Sequence, residues 1–367
     1  MPDSLPKIIR SEIAASGPMP FRRFMELALY HPRLGYYASG RARVGREGDF
    51  FTNVSVGPLF GRLLARQIVE MWEHIGSPRD FSLIEQGAHE GRLAADVLSG
   101  LRELSADCHS ATVYRIIEPF PVLAERQRES LEGFKGRVQW ARSLREVEIE
   151  AGIHLSNELP DAFPVHLVAR IAGEWRERMV VETAGGLAFD DEPLTAVALR
   201  EACAGIPGPL PDGYVTEVNL AVREWITDAA RSIRRGFVLA VDYGFPREEY
   251  YSAGRTSGTL SAYSNHRREP DPLARPGELD LTAHVDFTSL IEGAAAAGMR
   301  LAGFTDQHHF MVGLGAAHFA DGANAGDRRA FQTLMHPQFM GMAFKVICFA
   351  KAMDTLPTLA GFRFARG

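Results

Sequence analysis

The sequence predicts an α/β protein built on a doubly wound, mostly parallel sheet. Three observations carry that prediction. Short apolar runs alternate with helical patterns from Phe81 onward, the order that parallel sheets require. The run FVLAVDYG (Phe237 to Gly244) is nearly all apolar, as a strand buried on both faces should be. The apolar FSLI runs straight into the Gly-framed turn EQGAHEG (Glu85 to Gly91), which opens the helical RLAADVLSGL.

The elements follow in order. Residues 1–78 form an N-terminal helical arm and loop. Within it, MPFRRFMELALYHPRLGYY (Met19 to Tyr37) begins as an amphipathic helix that stops at His31-Pro32, because the residue before proline disfavours helix. ASGRARVGREGDFFTN is a Gly/Arg-rich loop. VGPLFGRLLARQIVEMWEHIG is a second helix, with Leu59, Leu63, Leu64, Ile68 and Met71 at helical spacing and Gly76 as its stop. Residues 79–367 form the main domain. FSLIEQG is its first strand, ATVYRIIEP its second, GRVQWARS its third, GIHLSNE its fourth and FVLAVDYG its fifth. Helices GRLAADVLSGLREL and PVLAERQRESLEGF, the latter opened by Pro121, separate the first three. An insertion over 159–235 precedes the fifth strand. It holds a hairpin pattern, VHLVARIAGEWRERMVVET, and a helical AVREWITDAARSIRR, and is placed on the substrate side of the sheet.

Composition narrows the function. The chain has 367 residues, 46% hydrophobic content and a net charge of -6, an ordinary balance that argues against nucleic-acid binding by bulk charge. The three cysteines, Cys108, Cys203 and Cys348, are far apart and form no C-x-x-C pair. A reducing compartment is expected and no metal site is. No run of about 18 apolar residues exists, so no membrane span is expected. The first residues show no basic stretch followed by an apolar one, so a cytoplasmic location is expected. No G-x-x-x-x-G-K and no G-x-S-x-G occurs, which excludes P-loop and serine-hydrolase chemistry. His308-His309 completes no ligand set and is assigned a surface or core role. The oligomeric state is not written in the sequence.

In an open α/β sheet, ligands bind beyond the carboxyl ends of the strands. Those ends carry Glu85, Glu118, Asn157-Glu158 and Asp242-Tyr243. One acid at a strand end is as readily a solvated side chain. Several along one edge describe a polar site. A carboxylate closing the second strand suits a ribose, whose vicinal hydroxyls both donate to it. The dinucleotide pattern G-x-G-x-x-G fails at His89 and again at Arg92. The spacing Gly87-x-x-x-Gly91 after an acid fits better the E-x-G-x-G-x-G turn of methyltransferases that use S-adenosylmethionine, with one departure at His89.

Further motifs extend the comparison over nearly the whole chain. FMELALYHPRLGYY, GREGDFFTN, VGPLFGRLLARQ, IEP, NELPDAFPVH, DYG, DPLARPGELDLTAHVDFTSL and MGMAFKVICFAK occur in this order. With them the sequence resembles the MidA family of S-adenosylmethionine-dependent methyltransferases, whose mitochondrial member methylates arginine as a complex I assembly factor. The resemblance implies the class I methyltransferase (Rossmann-like) fold and S-adenosyl-L-methionine as cofactor. It also implies a protein substrate bearing the methylated arginine, a respiratory complex subunit being the example the family offers. It points to Glu85, Gly87, His89, Gly91, Glu118 and Asn157 for cofactor binding. For the acceptor it points to Asn157, Glu158, Asp161 and Asp49, because a guanidinium needs carboxylates that fix its plane and balance its charge. Where the family reads E-L-G-x-G-R-G, this chain has His89 and Glu90. The turn is expected to keep its backbone course and to bind the cofactor weakly. His89 either swings toward solvent or the N-terminal arm, or fills the space of the methionine part. The alternative function is an idle methyltransferase fold that binds a partner as an assembly factor.

Overall fold

The computed structural model describes residues 4–39, 52–264, 267–320 and 324–365. They divide into two compact units. One gathers Met1–Phe50, Pro160–Glu224 and Gly244–Ser289, and the other Phe51–Leu159, Trp225–Tyr243 and Leu290–Gly367. Asp49 lies outside the described residues.

The second unit carries the predicted sheet, with two more strands than the five assigned from the sequence. Its strands are β1 (Phe81–Gln86), β2 (Thr112–Ile117), β3 (Val138–Ala141), β4 (Ile149–Asn157), β5 (Ile233–Phe245, in this unit as far as Tyr243), β6 (Arg300–Asp306) and β7 (Phe344–Lys351). Their order across the sheet is β6-β7-β5-β4-β1-β2-β3. The strands from β3 to β5 pair in parallel, and β7 runs antiparallel to both β5 and β6. The sheet is thus doubly wound and mostly parallel. β1 is buried from Phe81 to Glu85 and β5 from Gly236 to Asp242, in keeping with strands covered on both faces.

Three helices position the site. α1 (Leu59–Ile75) buries Leu59, Leu63, Leu64, Ile68 and Met71 and ends at Gly76 in the left-handed conformation, the stop the sequence indicates. α2 (Arg92–Leu104) follows β1 and buries Leu93, Ala94, Val97, Leu98 and Leu101. α3 (Pro121–Ser130) follows β2, with proline at its first position, where the missing amide hydrogen costs nothing. A short helix over Ala106–Ala111, capped by Ser105 Oγ accepting from Cys108 N–H at 3.2 Å, precedes β2 and has no counterpart in the sequence reading.

The first unit holds the helices Leu5–Ser16 and Phe21–Tyr30. The second of these buries Phe21, Phe24, Met25 and Ala28 along one face and stops before His31-Pro32. The predicted hairpin forms from His166–Ile171 and Glu174–Thr183. It lies in an antiparallel sheet with Met19–Pro20, Gly186–Pro193 and Val215–Val218. A three-stranded sheet of Ser261–Ser264, Arg267–Glu269 and Asp280–Thr282 completes the unit. No helix among the described residues is long and apolar enough to cross a membrane.

Candidate active site

Going outward from β1, successive strands run to β2 and β3 on one side and to β4 and β5 on the other. The crevice of an open sheet falls where the order reverses, between the carboxyl ends of β1 and β4. Gln86 pairs with Ser156 there, which sets Gly87 beside Asn157, the last paired residue of β4.

The turn after β1 keeps a left-handed course at three residues. Gly87 has φ +82°, His89 φ +48° and Gly91 φ +79°. Glycine visits that region freely, whereas a residue with a Cβ does so at a cost. Gly87 is exposed, and a Cβ there would sit 3.4 Å from the Leu159 side chain. The His89 ring is half-buried, with its Nε2 shielded from water, so the imidazole is not turned out to solvent. Gly91 N–H donates to Ala88 O at 2.7 Å and closes the turn. α2 begins next, with no side-chain cap on its first amides and no acid in its first turn. Those amides carry a partial positive charge of about half a unit and can receive a carboxylate. Glu90 does not load this end with an unbalanced charge, because Arg92 pairs with it at 2.8 Å. The weak binding expected from the sequence leaves out this partner two residues on.

Glu118 closes β2 and is 7% exposed. It accepts from Phe120 N–H at 2.9 Å and from Gln127 Nε2 at 2.8 Å. Burial pushes its carboxyl up to about 7, and the two donors pull against that rise. Gln127 also donates to His89 O at 2.9 Å, and its Oε1 accepts from Trp140 Nε1 at 3.0 Å. Glu85 takes a different course. It is buried within the sheet, accepts from Tyr114 Oη at 2.8 Å and is raised by burial to about 7.

Asn157 ends β4 between two partners. Its Nδ2 donates to Glu158 Oε1 at 2.9 Å, and its Oδ1 accepts from Asn53 Nδ2 at 3.2 Å. Glu158 stands at φ +53° with its N–H on Val241 O. Asp242, fully buried near the end of β5, accepts from Tyr243 N–H at 2.7 Å and Leu159 N–H at 3.2 Å, and so fixes the chain leaving Glu158. The structure therefore brings Gly87, Asn157 and Glu158 to one edge, with Glu118 at the end of the neighbouring β2.

Asp161 belongs to the first unit. It is buried in the turn Pro160–Ala162, and burial raises its carboxyl to about 7 against the pull of nearby backbone amides. Ala283 N–H donates to its carbonyl, and Tyr30 Oη donates to Ala162 O at 2.9 Å. In the same unit Asp280 is buried and accepts from Tyr37 Oη at 3.1 Å. His308 and His309 of the sheet unit serve structure: their Nδ1 atoms bond Met335 O at 2.9 Å and Asp306 Oδ1 at 2.7 Å.

The donor set fits S-adenosylmethionine. Glu118 offers a carboxylate for vicinal hydroxyls, the uncapped start of α2 offers amides for a carboxylate, and Gly87 exposes backbone between them. An open sheet in this order, with an acid closing β2 and a glycine-framed turn after β1, defines a class I methyltransferase. Residues 63–305 match the family described as S-adenosyl-L-methionine-dependent methyltransferases, and the chain belongs to it. A COG1565 superfamily member from Burkholderia thailandensis, solved bound to S-adenosyl-homocysteine, superposes with a TM-score of 0.89. It is 34% identical, and the match covers 98% of this chain and 95% of that one. The Drosophila melanogaster protein arginine methyltransferase NDUFAF7 homolog, mitochondrial, is 29% identical over 94% of this chain and 84% of its own. The human protein arginine methyltransferase NDUFAF7, mitochondrial, is 26% identical over 91% of this chain and 80% of its own. This chain is an S-adenosylmethionine-dependent methyltransferase, and nothing in these likenesses favours the idle, partner-binding alternative. The expected cytoplasmic location is corrected by the Drosophila and human relatives, which are named as mitochondrial proteins. A leader pattern sought in the first residues was too thin a basis for it.

Proposed function

We propose that this methyltransferase modifies a guanidinium nitrogen of arginine on a protein acceptor, a respiratory complex subunit being one such acceptor. The curated relatives bear the name of protein arginine methyltransferases, and the acidic edge at the end of β4 supports the same acceptor chemistry. S-adenosylmethionine supplies a methyl group already activated on a sulfonium, so the protein's task is alignment and charge balance. In this reading Glu118 receives the ribose hydroxyls. Gly87, His89 and Gly91 present backbone to the methionine part, and the first amides of α2 receive its carboxylate. Glu85 supports the turn from within the sheet, and Asn157 binds the amino group.

The acceptor guanidinium stays charged in water, with a pKa above about 12. In this reading Glu158 balances that charge and takes the proton released as the nitrogen is methylated. Asp161 and Asp49 are kept as candidate acceptor carboxylates on the family resemblance alone. The observation that carries the reading is Glu158 itself: a non-glycine residue held at φ +53°, its carboxylate pinned by Asn157.

The test is transfer of labelled methyl from S-adenosylmethionine to arginine-bearing proteins of the source cell, followed by mass mapping of the modified residue. Asp161→Asn should leave cofactor affinity unchanged and reduce methylation by about tenfold or more, on the order expected for a lost charge-assisted contact. Equal loss of both would make Asp161 structural. A label found on lysine, or on a small molecule alone, would overturn the arginine reading.

A further inference from the structure

Gln127 is fully buried in α3, and each polar atom of its amide has a partner. Both hydrogens of Nε2 are used, one on Glu118 Oε2 at 2.8 Å and one on the His89 carbonyl at 2.9 Å. Its Oε1 accepts from Trp140 Nε1 at 3.0 Å. The orientation of this amide is not arbitrary. An indole N–H only donates, so oxygen must face Trp140, and the two remaining partners are acceptors, so nitrogen must face them. One side chain thus ties the carboxylate that closes β2 to the backbone of the turn after β1.

The tie falls where this turn departs from a glycine pattern. His89 holds φ +48°, in the region glycine occupies freely. The carbonyl that Gln127 grips is that of His89. On the far side of the turn, a Cβ on Gly91 would meet Leu131 Cδ1 at 3.0 Å and Gln127 Cα at 3.7 Å, so α3 and the residue after it also brace the turn by packing.

We propose that Gln127 is a positioning residue for the cofactor: it holds the His89-containing turn in a glycine-like course and sets that turn relative to Glu118. The proposal rests on the reading of Glu118 as the ribose ligand. Through Glu118 it acts on charge as well as on shape. An N–H donated to a carboxylate favours its ionised form, so losing the donor moves ionisation to higher pH. Charged and titratable side chains on the elements around Glu118 are His89, Glu90 and Arg92 at the turn, Arg115 on β2, Glu125, Arg126, Arg128 and Glu129 on α3, and Arg142 after β3.

The experiment is calorimetric titration of the full chain with S-adenosyl-homocysteine across pH, for wild type, Gln127→Met, His89→Gly and the double variant. Gln127→Met is expected to bind about tenfold more weakly near neutral pH, the effect of one lost bond to a charged group. The pH midpoint of its binding should move upward, and His89→Gly should restore part of the loss, because a glycine does not need its carbonyl held. A loss of equal size at every pH, and equal with histidine or glycine at position 89, would reduce Gln127 to general packing and overturn the proposal. If Gln127→Met does not fold by circular dichroism, Gln127→Glu replaces it. A second carboxylate beside Glu118 must then raise the midpoint, and an unmoved midpoint overturns the proposal. Glu118→Gln separates the two claims. Wild-type affinity in that variant sinks the ribose role and the proposal with it. A normal loss there, beside an unaffected Gln127→Met, sinks the proposal alone. A midpoint that persists in Glu118→Gln belongs to another group and also counts against it.

Discussion

Glu118 shows how a single residue joins local sequence to function. Its place after an apolar strand is legible from periodicity alone, and its chemistry follows from two donors and burial. Glu118→Ala should weaken binding of S-adenosylmethionine by about 1.5–3 kcal/mol, the range for hydrogen bonds to a charged group. Unchanged affinity in a folded variant would show that the ribose lies elsewhere. Because burial raises this carboxyl to about 7, and the ionised form is the better acceptor, affinity should be full above neutrality. It should fall as pH drops below about 7, by at most about tenfold per unit. His89 and Glu90 are the residues the sequence marks as unfavourable. The structure leaves His89 in a glycine-like conformation and gives Glu90 a partner in Arg92. His89→Gly with Glu90→Arg should still tighten binding, through relief at position 89 and a cation at position 90. Side-by-side titration decides, and tight wild-type binding with no gain would mean that the turn is already competent.

Among the elements, α1 and α2 pack through their smallest residues. A Cβ on Gly61 would lie 2.4 Å from Asp96 Cβ, and one on Gly100 would lie 2.7 Å from Ala65 Cβ and 3.2 Å from Arg62 Cα. The two helices therefore meet nearly backbone to backbone. Gly100→Val should cost about 1–3 kcal/mol, the usual penalty of overpacking, read as a lower urea midpoint with an unchanged slope. No loss would mean that the helices can part freely. The apolar stripe of α1 is visible in the sequence at 59, 63, 64, 68 and 71, because a 3.6-residue period is a local property. The role of Gly61 and Gly100 is not, because it depends on which helix lies opposite.

On the scale of the whole chain, buried titratable groups set how stability follows pH. His154 is fully buried in β4, its ring edge-on to Trp225 at 5.6 Å, and burial holds it down to about 3. The unfolded chain takes up a proton near 6.5 that the folded chain refuses. This contribution to stability is therefore present above about 6.5 and is lost as pH falls toward 3, at up to about 1.4 kcal/mol per unit. Glu85, raised to about 7, acts in the opposite sense. Its contribution is present below the ordinary carboxylate range and is lost as pH rises through 7. His154→Leu should flatten the acid limb, so that the melting temperature falls less between about pH 6.5 and 4.5 than in wild type. Identical limbs would show that another group governs acid unfolding.

The sequence by itself left the strands β6 and β7 unassigned, but it determined the order of the first five strands and of the helices between the first three, the doubly wound class, the turn at Glu85 to Gly91 and the acid at Glu118. Each of these is written in residues close together along the chain: an apolar period, a glycine frame, a residue at a strand end. The tertiary structure alone decided which partners complete the site. Gln127 meets His89 across 38 positions and Asn53 meets Asn157 across 104, and no spacing rule connects such pairs. It also decided that Glu85 turns to Tyr114 inside the sheet, and that Asp161 belongs with the unit of Tyr30 and Asp280 rather than with the sheet that carries Glu158. The reason is physical. Helical and strand periods follow from backbone geometry within a few residues, whereas a side-chain hydrogen bond depends on which segments the fold lays side by side.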